Sequence, residues 1–208
     1  MNNKKDVIFS LICGELTALF LLLVIKNPYI KEFQSLAKIA DLSWFLLVAL
    51  PIVFFIGILV GKFLEKFTPV IFQIVKFGEV GVLNTFVDAG ILNFLIGASG
   101  ITAGIWLAPL NTVSFLFAMI NSYLWNKFWT FKGAGRATGK NFLQFLVVSG
   151  IGWGINTGIL VLVTSLVSPL FSLSAGAWAN VAKLGAISVS MIWNFLGYKF
   201  FVFKKNNG

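Results

Sequence analysis

The sequence predicts an all-α, polytopic transmembrane bundle of six helices, with the last four arranged as two tandem two-helix repeats. Three observations carry that prediction. The 208-residue chain is 58% hydrophobic and only 11% charged, with a mean hydropathy of +0.92, whereas soluble domains carry about 25% charged residues. The apolar residues fall in runs close to the roughly 20 residues that a spanning helix needs. One stretch is also written twice, as FGEVGVLNTFVDAGIL at 77–92 and FLVVSGIGWGINTGIL at 145–160. Phe77 pairs with Phe145, Asp88 with Asn156, Gly90 with Gly158, Ile91 with Ile159 and Leu92 with Leu160 at one constant offset. A second signature follows each copy, KFWTFK at 127–132 and KFFVFK at 199–204, with the offset grown by four. Such a duplication marks a repeat architecture, and membrane transporters often bind their substrate where repeats meet.

The expected spans run over about 8–25, 43–61, 70–97, 104–126, 142–165 and 174–197. The first has the charged start of a signal peptide, in Lys4 and Lys5, but its apolar run is long and no small-residue cleavage pattern follows, so it is read as retained. After it, Asn27-Pro28 forms a cap and a first-turn proline. Ile30, Phe33, Ala37 and Ala40 then fall on one face against Lys31, Glu32, Gln34, Lys38 and Asp41, which predicts an amphipathic helix on the outer membrane surface. Thr68-Pro69 starts the third span and divides the chain into a two-helix extension, 1–67, and a four-helix domain, 68–208. Gly150, Gly154 and Gly158 recur every four residues in the fifth span, with a smaller version at Gly81, Thr85 and Ala89. Small residues at this spacing predict close helix packing; the alternatives are a homo-oligomer face or a groove for a lipid chain.

Charge sets the orientation. Lys4, Lys5, Lys62, Lys66, Lys76, Lys127, Lys132, Arg136, Lys140, Lys199, Lys204 and Lys205 fall on one side of a six-span chain, against Lys26, Lys31 and Lys38 on the other. The positive-inside bias places both termini in the cytoplasm, across a cytoplasmic or inner membrane. Because the basic residues sit in short loops, the net charge of +9 is a topology signal, and no nucleic-acid partner is expected. There is no histidine and one cysteine, Cys13. A serine-type triad, a zinc cluster and an intrachain disulfide are excluded, and neither an enzyme nor a cofactor is expected.

The two signatures resemble the GtrA-like family of four-helix membrane proteins. The first helix of that pattern is matched by Phe77, Gly81, Asn84, Thr85 and Asp88, and the end of the second by Asn121, Asn126, Lys127, Trp129, Thr130 and Phe131. The end of the fourth is matched by Asn194, Phe195, Leu196, Lys199, Phe201 and Phe203. The likeness covers about 70–205 and leaves the first two helices outside. It implies translocation of a polyprenyl-phosphate-linked monosaccharide across the membrane, for cell-surface polysaccharide synthesis or glycosylation. It also implies membrane lipids as partners and a polyprenyl-phosphate glycosyltransferase acting in trans. Two alternatives stand beside it: a scaffold that orients such a transferase without transporting, and a small proton-coupled transporter.

Ionisable groups inside a span are costly and are functional candidates by default. Here they are Glu15, Glu79, Asp88 and Lys183. Asp88 lies midway along the third span and Lys183 some nine residues into the sixth, so the two are expected to meet across the repeat interface, as a substrate path or as a structural pair. Glu79, Asn84, Asn121, Asn126, Asn156 and Asn194 are candidate partners for sugar hydroxyls. Lys127, Trp129 and Lys199 are candidate phosphate and headgroup contacts at the cytoplasmic signatures, where the bland reading is an interfacial aromatic belt.

Overall fold

The computed structural model describes residues 3–39, 41–130 and 139–197. Seven α-helices follow one another: α1 (Asn3–Ile25), α2 (Gln34–Ala37), α3 (Leu42–Leu64), α4 (Pro69–Ser99), α5 (Leu107–Trp125), α6 (Gly139–Leu166) and α7 (Ala175–Gly197), with no strand among the described residues. A π-helical stretch, Asn126–Thr130, continues α5 through the first signature. Local chemistry sets the ends of α4. Thr68 is its extended cap, Pro69 opens the first turn, and Gly100 closes it in the left-handed conformation at φ 73°.

Five helices are long and apolar enough to cross a membrane: Lys4–Ile25, Leu42–Leu64, Ile71–Ser99, Leu107–Thr130 and Leu143–Leu166. This is one fewer than the six spans expected. The remaining long helix, α7, has 23 residues, but Asn180, Lys183, Ser188, Ser190 and Asn194 dilute its apolar character. Lys183 and Ser190 are buried and Asn180 and Asn194 half-buried, while Ser188 is exposed, so its lower hydropathy reflects the polar residues it turns toward its neighbours rather than its length.

α4 packs closely on α5 and α6 on α7, and the contacts between these pairs, α5 with α6 and α4 with α7, are sparser. α1 packs extensively on both α3 and α4. In lipid there is no hydrophobic force between helices, so such contacts depend on small residues and hydrogen bonds. Gly14 and Gly90 let α1 approach: a Cβ on Gly14 would lie 2.5 Å from Pro51 Cα, and one on Gly90 would lie 2.6 Å from the Phe20 carbonyl oxygen. The glycine stripe behaves differently from its expected packing role. Cβ atoms on Gly150, Gly154 and Gly158 would meet nothing within 4 Å, and the same holds at Gly81. The packing glycines of this half are Gly152, against the Asn194 side chain, and Gly197, against Val148. Periodicity found a smooth face on α6, but the neighbouring phase of the same helix makes the contact.

The predicted amphipathic surface helix also takes another form. Only a 3-10 turn, Lys31–Phe33, and the four-residue α2 are present. Ile30 is buried and packs with Phe33 against Val24, Ala89, Leu173 and Ala177. Ala37 is exposed, and Ala40 lies outside the described residues. The segment therefore caps α4 and α7, because its apolar residues find protein partners there in place of lipid. This connector shares its end of the bundle with the α4–α5 and α6–α7 loops: Gly104 N–H donates to Thr164 Oγ1 at 3.3 Å and Gly176 N–H to the Tyr29 carbonyl at 3.1 Å.

Candidate functional site

Asp88 and Lys183 meet. The Lys183 ammonium lies 2.7 Å from Asp88 Oδ2, and the two residues are 1% and 6% exposed. That burial decides how strong the pair is, since a charge out of water must be matched by partners. Lysine has three N–H donors. Here Asp88 Oδ2, Asn111 Oδ1 and Asn156 Oδ1 accept them, the last at 3.2 Å. Asn111 Nδ2 in turn donates to Asn156 Oδ1 at 3.0 Å and to Thr157 Oγ1 at 2.9 Å. The Ser114 hydroxyl donates to Asp88 Oδ1 at 2.6 Å, and Asn156 Nδ2 reaches Ser190 Oγ at 3.5 Å. Asp88, Asn111, Ser114, Asn156, Lys183 and Ser190 are buried, and Thr157 is half-buried. The cluster is closed, electrically neutral, and supplied by α4, α5, α6 and α7 together.

The cluster follows the two offsets read in the sequence. The offset that relates Phe77 to Phe145 also relates Asp88 to Asn156. The larger offset that relates Lys127 to Lys199 also relates Asn111 to Lys183. Under those offsets the four central residues fall into two matched sequence positions, each occupied once by a charge and once by an amide. Sequence reasoning found Asp88, Lys183 and Asn156 but missed Asn111, although the second offset pointed to it.

The other candidates occupy separate levels. Toward the end carrying the chain's N-terminus, Asn121 Nδ2 donates to Asn84 Oδ1 at 3.3 Å and Trp125 Nε1 to Asn121 Oδ1 at 3.0 Å. Asn126 Nδ2 donates to Ser122 Oγ, while its buried Oδ1 has no partner among the described residues; Asn194 Oδ1 is also buried and unpartnered. Trp129, expected on an open aromatic patch, is 4% exposed. Its Nε1 donates to Asp6 Oδ1 at 3.0 Å, and Asp6 pairs with Lys76 at 2.8 Å. Phe9 and Trp125 pack edge-on against it. The π-helical stretch turns this indole inward, toward α1. Glu79 is buried on the opposite face of α4 from Asp88 and lies apart from the central cluster. The side chain of Lys127 and the whole of Lys199 lie outside the described residues.

Toward the connector end a second polar layer closes the bundle. Asn93 donates to Asn180 Oδ1 at 2.7 Å, and Asn180 and Asn27 donate to Asn93 Oδ1 at 2.9 and 2.7 Å. Beyond it, Ser174 N–H and Oγ–H donate to the two Glu32 carboxylate oxygens at 2.7 and 2.6 Å. These bonds hold the Glu32 carboxyl below its usual range. None of these residues stood out in sequence, because amides and serines are common and their meeting depends on how the helices dock.

A family model described as GtrA/DPMS, transmembrane domain, matches residues 76–203. The chain belongs to that family. The GtrA/DPMS segment begins within α4 and carries the whole central cluster, whereas α1 and α3 precede it. The family is a membrane one, related to polyprenyl-phosphate sugars. The uncharacterized membrane protein YngA of Bacillus subtilis (strain 168) is 34% identical over 128 residues, spanning 62% of this chain and 77% of that protein. No solved structure matches the chain.

Proposed function

We propose that this GtrA/DPMS-family protein carries a polyprenyl-phosphate-linked monosaccharide from the cytoplasmic to the outer leaflet, with α7 as the sixth span and no catalytic step. One observation carries the reading: a neutral, enclosed, ion-paired cluster at the seam where the two repeat halves touch least. Phosphate and sugar hydroxyls cannot cross hydrocarbon without partners. A carrier must therefore offer a cation for the phosphate and amides for the hydroxyls, while the isoprenoid tail stays in lipid. Lys183 supplies the cation. The substrate phosphate would displace the Asp88 carboxylate from it, while Asn111 and Asn156 would exchange their mutual hydrogen bond for sugar hydroxyls. Asn84, Asn121, Asn126 and Asn194 would line the cytoplasmic approach. Lys127 and Lys199 would gather the phosphate there, with Trp129 fixing the wall. The Asn27–Asn93–Asn180 layer and the Glu32–Ser174 contact would be the outer closure. Rocking of α4–α5 against α6–α7 would alternate access to the cluster.

The test is flipping of a labelled polyprenyl-phosphate sugar in liposomes that contain only the purified protein, comparing wild type with Asp88→Asn. A second reading draws on the same cluster: every Lys183 donor is already satisfied. On that reading the pair only holds the bundle together, and the protein anchors a glycosyltransferase in trans. It predicts full function after Asp88 and Lys183 are neutralised together.

A further inference from the structure

We propose that Glu79 is a proton-binding site, completed by helices α1 and α3 and separate from the central ion pair. Glu79 and Asp88 are nine residues apart on α4, which is two and a half turns and places them on opposite faces, about 13 Å apart along the axis. Asp88 faces α5 and α7; Glu79 faces α1 and α3. The residue is 8% exposed, and neither carboxyl oxygen has a hydrogen-bond partner among the described residues. A buried ionised carboxylate with no partner is far more costly than its protonated form. The Ser10 hydroxyl on α1 lies close enough to act on this carboxyl, yet it too is buried and unpartnered. On α3, a Cβ at Gly57 would come within 3.2 Å of Glu79 Oε1, so glycine there leaves space for the carboxyl.

The chemistry of the surroundings favours a proton over a metal cation. A metal ion needs several oxygen ligands, and among the described residues no group of three acidic, cysteine or histidine side chains gathers anywhere. Nor does a neighbouring cation neutralise Glu79. On α4, Lys76 is bound to Asp6 of α1, and Asp88 to Lys183 of α7. α1 otherwise carries Lys4 and Lys5 in its first turn, Cys13, whose thiol is buried, and Glu15, two residues further on. α3 has no ionisable side chain between Leu42 and Gly61, and α5 carries Tyr123 alone. A proton taken up at Glu79 would let α1, α3 and α4 close without an uncompensated charge, and its loss would favour their separation or the entry of water. That this protonation drives transport rests on the reading above; the site itself does not.

The test uses the full-length protein in liposomes without substrate. Dicyclohexylcarbodiimide enters apolar surroundings and modifies protonated carboxyls, and modified peptides are located by mass spectrometry. Modification is expected at Glu79, absent in Glu79→Gln, and falling about tenfold or more between pH 5 and pH 9 as the carboxyl ionises. Asp88, held by Lys183, is the internal control and stays unmodified. A folded wild-type protein in which Glu79 is never modified, or is modified equally at every pH, would overturn the proposal. A failure of flipping would leave the result untouched, because the labelling needs no lipid-linked sugar.

Discussion

Replacing Asp88 with Asn keeps the side-chain shape and removes the charge. Lys183 is then a buried ammonium, 1% exposed, with only the Asn111 and Asn156 oxygens as acceptors. Removing one partner of a buried pair costs about 3–5 kcal/mol, because the other charge stays behind uncompensated. Lys183→Met creates the reverse problem, a buried carboxylate held by the Ser114 hydroxyl. The double variant removes both charges, and replacing a whole buried pair by uncharged groups is often neutral. Two independent losses would sum to about 6–10 kcal/mol, whereas the double variant is expected within about 2 kcal/mol of wild type. The assay is thermal unfolding of the detergent-purified protein. For a chain of this size, each single variant should lose about 6–20 °C and the double variant should regain most of it. Additive losses, or single variants that melt with wild type, would refute the idea that these two charges compensate each other.

Two further outcomes follow from the geometry. A valine at Gly14 would drive a branched side chain into Pro51 and is expected to lose about 1–3 kcal/mol, whereas alanine at Gly154, which meets nothing within 4 Å, should stay within about 0.5 kcal/mol; thermal melts of both distinguish a packed from an open face. Glu32 has its ionisation lowered by Ser174, so its contact stabilises the folded form at pH values above the ordinary carboxylate range and is lost as the pH falls through the depressed value. Hydrogen-exchange protection of the Ser174 and Gly176 amides should fall in that acid window for wild type and be low at all pH values in Glu32→Gln.

The parts of this structure legible in sequence are those that depend on one helix at a time. The positions of five of the six expected spans, the cap and proline of α4, and the meeting of Asp88 with Lys183 all follow from counting residues along an axis. What depends on the angular docking of two helices was not legible. Asn111 sits among many amides, and only its equivalence to Lys183 under the second repeat offset singles it out. The face of 28–40 had the right period for a membrane surface, but periodicity does not say whether lipid or α7 will cover it. Trp129 carried the composition of an interfacial aromatic, yet Asp6, more than a hundred residues away, takes its N–H and keeps it buried. The length of α7 suits a span, while Lys183 and its asparagines mark the one face that it turns toward the other helices.

The most direct measurement of the central claim is transbilayer movement of a labelled polyprenyl-phosphate monosaccharide in liposomes holding only this protein, with wild type, Asp88→Asn and the Asp88→Asn/Lys183→Met double variant side by side. The account predicts flipping by wild type and none by either variant, even though the double variant is as stable as wild type. A folded wild type that moves no lipid-linked sugar, or a double variant that moves it at the wild-type rate, would contradict it.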